Sequence, residues 1–130
     1  MAATYLDSSA LVKLVIAEPE SAALRRHLRR RAALVASALV RTEVVRAVLP
    51  HGDGAIARAN DVLALVDLVR VNDQILRRAG TLVPPELRSL DAIHLATVLH
   101  LQRDVSSLVT YDDRMTAAAR VLRLRTAAPA

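Results

Sequence analysis

Short apolar runs rich in β-branched residues alternate along this chain with stretches of helical periodicity. Strands are predicted at Thr4–Leu6, Leu34–Ala36, Leu68–Val71 and Ser107–Thr110, with a possible edge strand at Leu122–Arg125. Helices are predicted at Ser9–Val15, Glu20–Arg31, Ala38–Leu49, Ala55–Leu65, Asp73–Ala79, Ser89–Gln102 and Asp113–Val121. Pro19, Pro50 and the His51–Gly54 turn punctuate them. Strand–helix alternation of this kind predicts an α/β fold: a three-layer α/β/α sandwich around a mainly parallel sheet. With 130 residues and no repeat or long linker, a single domain over 1–130 is expected.

Four carboxylates break this apolar pattern. Asp7 directly follows the first strand, and Asp112 lies just beyond the fourth, where ligands sit in parallel α/β sheets. Advancing about 100° per residue, Glu43 falls in line with Leu39 and Ala47, away from Arg41, Thr42 and Arg46. Asp91 stacks with Leu95 and Val98 on a helix that is apolar nearly all round. Each acid has a plainer reading: Asp7 as a helix cap, Glu43 as half of a buried ion pair, Asp91 as a complement to the helix dipole. Asp112 and Asp113 share a cap position, and Thr110 with Asp113 resembles a capping box. Spacing alone leaves open which of these two acids is the cap and which is free. Together, four acids at apolar positions predict a divalent-metal site, because such a cluster stays ionised only beside a cation. Oxygen-only ligands suit Mg²⁺ or Mn²⁺, one ion or a pair.

Composition narrows the alternatives. The chain has no Cys, which removes disulfides, zinc ribbons and thiolate catalysis. It has no Phe or Trp, and Tyr5 and Tyr111 are its only aromatics, so the core must be aliphatic and base stacking on an aromatic platform is disfavoured. The net charge is +5, carried almost wholly by Arg, with Lys13 the single Lys. That fits a polyanionic partner, and the Arg25–Arg31 run fits either a solvated face or an RNA contact. The four His read as structural or solvated. No Gly-rich phosphate loop is present. No apolar run approaches the roughly 18 residues needed to cross a membrane, and a cytoplasmic protein is expected.

The segments YLDSSALVKLVIAEPES, RTEVVRA, LRSLDAIHLATVL and LVTYDDRM resemble, in order, the signature blocks of PIN-domain endoribonucleases, most closely the VapC-type toxins of type II toxin–antitoxin pairs. The segment from His51 to Pro85 carries no signature. The resemblance implies metal-dependent cleavage of RNA by an activated water, with Asp7, Glu43, Asp91 and Asp112 as the acids. Ser9, Thr110 and Asp113 stand beside them in support. It also implies homodimerisation and a cognate antitoxin. Two other classes remain: a non-catalytic PIN-like binding module, and a phosphoryl-accepting α/β domain. The second is disfavoured, because Asp7 is followed by Ser8 and Ser9 and no Lys lies near the last strand.

Overall fold

The computed structural model describes residues 2–31 and 33–130. Five strands form one sheet in the order β3-β2-β1-β4-β5, with every neighbouring pair parallel. They are β1 (Ala3–Leu6), β2 (Leu34–Ser37), β3 (Asp67–Val69), β4 (Val105–Val109) and β5 (Thr126–Ala127). The helices are α1 (Ser8–Val15), α2 (Ser21–Leu28), α3 (Val40–Val48), α4 (Asp53–Leu63), α5 (Asp73–Gly80), α6 (Ser89–Leu101) and α7 (Asp113–Val121). No helix among the described residues is long and apolar enough to cross a membrane.

The two-residue period of the strands divides the core between the two faces of the sheet. Leu6, Ala36 and Val109 point to one face, where Val40, Val44 and Val48 of α3 and Ala55, Ala59 and Leu63 of α4 meet them. Both helical stripes follow an i, i+4, i+8 spacing. Tyr5, Val35 and Leu108 point to the other face, against Leu95 and Val98 of α6 and Met115 of α7. Helix α6 is covered by the sheet on one side and by α5 on another, which accounts for its nearly unbroken apolar surface.

From β1 the chain winds outward through β2 to β3, then returns across the sheet to β4 and continues to β5 on the opposite side. The order therefore reverses between β1 and β4. Helix α1 leaves the end of β1 toward one face, and α7 leaves the end of β4 toward the other. That divergence opens a crevice above the carboxyl ends of the two central strands.

The final edge strand is displaced from its expected place. Leu122–Arg125 is not a strand; the pairing residues are Thr126 and Ala127. The cause is a helix-ending motif without its usual glycine. Arg123 has φ 60°, its N–H bonds the Arg120 carbonyl (3.0 Å), and the Leu124 N–H bonds the Ala119 carbonyl (2.9 Å). This is a Schellman closure with Arg at the left-handed position. Arg123→Gly is expected to relieve a left-handed cost of about 1–2 kcal/mol, partly offset by glycine's chain entropy. A net gain of about 0.5–1 kcal/mol should appear as a melting temperature higher by about 2–4 °C.

Candidate active site

Strand register assembles the first half of the site. Leu6 is paired with Val109, so Asp7 and Thr110 emerge side by side one residue later. Asp7 is buried and caps α1, accepting from the Ala10 N–H (3.0 Å) and the Ser9 hydroxyl (2.6 Å) on Oδ1. Its Oδ2 accepts from the Thr110 hydroxyl. Ser9 Oγ in turn accepts from the Tyr111 N–H (2.9 Å), and Thr110 Oγ1 from the Asp112 N–H (3.1 Å). The ends of β1 and β4 are thus laced together through two hydroxyls, with Asp7 at the centre. Thr110 therefore spends its hydroxyl on Asp7, and the capping box with Asp113 does not form.

Asp112 is the N-cap of α7, its Oδ1 accepting from Arg114 N–H (2.8 Å) and Met115 N–H (3.1 Å). Asp113 is exposed in the first turn of the same helix. The acid whose charge reaches Asp91 is thus also the helix cap. Asp7 likewise caps α1.

Asp91 lies half-buried in the first turn of α6, beside a groove that also holds Arg88 and Arg114. Glu43 is half-buried at the edge of the α3 stripe rather than within the core; the fully buried positions are Val40, Val44 and Val48. It borders a recess shared with Ser8, Ser9, Lys13 and Tyr111. Across that recess, Lys13 pairs with Glu20 (2.8 Å) and Glu18 (3.6 Å) and lies 4.7 Å from the centre of the Tyr111 ring.

The electrostatics are those of buried acids. Burial pushes the Asp7 carboxyl above the ordinary carboxylate range, against the pull of its hydrogen bonds from Ser9, Thr110 and Ala10. Asp91 is raised as well, first by burial and then by the negative charges of Asp112 and, more weakly, Asp7, with His94 and Arg88 opposing. These acids are within electrostatic reach of one another. Among the described residues, no three His, Asp or Glu side chains stand close enough, as placed, to enclose one ion. The donor chemistry nonetheless fits a hard divalent ion: carboxylates and hydroxyls, with no thiolate. Neither nitrogen of His94 is available, because both are already hydrogen-bonded.

His94 is the residue that sequence reasoning passed over. It is 1% exposed, in the middle of α6, and its Nε2 lies 2.7 Å from Glu43 Oε1. The signal was present: a polar side chain three residues after Asp91, in a helix with no polar face. His100, by contrast, is exposed. The arginines of the Arg25–Arg31 run lie on the surface of α2 and the turn after it.

A family model described as the PIN domain matches residues 4–121. Ribonuclease VapC46 of Mycobacterium tuberculosis is 55% identical over 129 residues, 99% of either chain. The chain belongs to the PIN-domain family, in its VapC branch. Solved structures agree on the VapC fold. A toxin–antitoxin complex from Klebsiella pneumoniae superposes with a TM-score of 0.75 at 19% identity, covering 98% of each chain. VapC20 of M. tuberculosis, described as a sarcin–ricin loop cleaving toxin, gives a TM-score of 0.72 at 17% identity, covering 88% of this chain and 94% of that one. The α/β/α architecture and the resemblance drawn from the four signature blocks are thereby borne out, and the parallel sheet is wholly rather than mainly parallel.

Proposed function

We propose that this VapC-family chain is a Mg²⁺- or Mn²⁺-dependent endoribonuclease, the toxin of a toxin–antitoxin pair. What supports the reading is the place of Asp7 and Asp112 just beyond the ends of β1 and β4, with Asp91 in electrostatic reach of both, joined to 55% identity with a protein named as a ribonuclease. Asp7, Asp91 and Asp112 hold the ion directly, and Glu43 holds it directly or through water. The bound ion would supply charge neutralisation for the phosphate and a water of lowered pKa as nucleophile. Ser9 and Thr110 keep Asp7 in one orientation. Arg88 and Arg114, flanking Asp91, hold the RNA backbone by forked contacts to phosphate oxygens. Without a cation, the acids repel the phosphate they must approach.

The chain works in the cytoplasm as a homodimer, and a cognate antitoxin silences it by covering the acidic cleft. Hydrolysis by water leaves 5′-phosphate and 3′-hydroxyl ends. The test is incubation of the purified protein with a structured RNA and Mg²⁺ or Mn²⁺, with and without chelator, followed by mapping of the new termini. Cleavage that persists in chelator, or 2′,3′-cyclic phosphate ends, would sink the mechanism. No cleavage of any RNA, with the fold intact, would leave a binding module.

A further inference from the structure

A line of hydrogen bonds runs from the end of β2 to Glu43 through two buried side chains. The Ser37 N–H donates to the Tyr5 hydroxyl oxygen (3.1 Å). Tyr5 Oη lies 2.8 Å from His94 Nδ1, and His94 Nε2 lies 2.7 Å from Glu43 Oε1. Tyr5 is 0% and His94 1% exposed, with their rings edge to face, centroids 6.0 Å apart. In a core otherwise built from Leu, Val, Ala and Ile, these are costly choices. Burying polar groups is unfavourable unless they are satisfied, and an aliphatic side chain would fill either place.

Proton accounting gives the line a direction. The Tyr5 oxygen already receives the Ser37 N–H, which leaves its own proton free to go to Nδ1. In that arrangement Nδ1 accepts, and the ring proton of a neutral imidazole sits on Nε2, directed at Glu43. Glu43 Oε1 is thereby occupied. Oε2 has no hydrogen-bond partner among the described residues, and Glu43 lines the recess with Ser8, Ser9 and Tyr111.

We infer that Tyr5 and His94 are positioning residues for Glu43: they hold one carboxylate oxygen so that the other is presented to a divalent cation or its water. The inference rests on the metal-dependent reading above. Neither residue touches the ion or the RNA. The role is that of an outer partner that orients a ligand, whose loss typically lowers metal affinity 10–100-fold. A purely structural pair would instead affect stability alone.

Two measurements on the full-length protein test this. Long-range ¹H–¹⁵N spectra of the metal-free protein should show His94 with a bare Nδ1 and a protonated Nε2; a proton on Nδ1 overturns the proposed line. Mn²⁺ titration calorimetry then separates positioning from packing. His94→Asn places its amide near the Nδ1 position and loses the donor to Glu43, so Mn²⁺ binding should weaken 10–100-fold. His94→Gln can place its amide nitrogen where Nε2 was, and should recover most of that loss at a similar melting temperature. Tyr5→Phe, which deletes only the hydroxyl, should weaken Mn²⁺ binding about tenfold and keeps the test open where His94→Asn fails to fold. Equal affinities in Asn, Gln and wild type overturn the proposal. If Asp7→Asn loses Mn²⁺ while the His94 and Tyr5 variants keep it, the relay fails and the metal reading stands. A wild-type protein that binds no Mn²⁺ overturns both.

Discussion

Asp7→Asn is expected to lower RNA cleavage by more than about a hundredfold while raising the melting temperature of the metal-free protein at neutral pH. The loss follows from position. Partners that merely orient a ligand are worth 10–100-fold, and Asp7 is read here as a direct ligand at the centre of the site. The gain in stability follows from burial. The folded state raises the Asp7 pKa above its ordinary value of 3.8, so between the unfolded and folded values the folded protein binds more protons than the unfolded one. Wild-type stability therefore falls as pH rises through that window. The Asn variant has no such charge. Its advantage should be absent below about pH 3.8, widen above it, and level off once the folded carboxyl is ionised. Asn also suits the site: Oδ1 can keep the Ala10 and Ser9 donors, and the amide can donate to Thr110 Oγ1. Thermal melts of both proteins from pH 4 to 8, run beside a cleavage assay, check the two halves together. A variant that is inactive and also less stable at pH 7 would point to misfolding.

The second large effect is that of the cation. Chelation should abolish cleavage, and Mg²⁺ or Mn²⁺ should raise the melting temperature of the wild type. An ion that binds only the folded state stabilises it by about 2.7 kcal/mol at a hundred times its Kd, or roughly 10 °C for a chain of this size. Binding also relieves the repulsion from Asp112 and Asp7 that adds to burial in raising Asp91, and that relief is contained in the Kd. Asp7→Asn, already relieved of its charge, should show little or no response to the same titration. A wild-type melting temperature that stays flat up to tens of Kd would count against a metal-binding acid set.

Much of this was legible in the sequence because the governing patterns are local. Strand–helix alternation gave the layers, and the helix Asp113–Val121 was bounded at the residues observed. Asp7 and Asp112 could be set at strand ends from hydrophobic runs alone. What escaped depends on contacts distant in sequence. The bond of Thr110 to Asp7 spans 103 positions and that of His94 to Tyr5 spans 89, and no periodicity encodes either. The Arg123 turn escaped for a different reason. A left-handed position is usually marked by glycine or asparagine, and here neither announces it. Glu43 was expected to face the core and instead lies at its edge, because helical angles fix a direction but not the depth of burial along it.

The reversal of strand order between β1 and β4 also bears on when the acid set comes into being. Asp7 is made before the strand that laces it in place, which begins only at Val105, and Asp112 follows later still. Domains emerge amino end first, at about 5–20 residues per second, so a growing chain carries β1, β2 and β3 for several seconds before β4 exists to pair with them. During that interval Asp7 lacks Thr110, and α7 has not formed. In a nuclease built this way the acid set stays incomplete until β4 and α7 have been made.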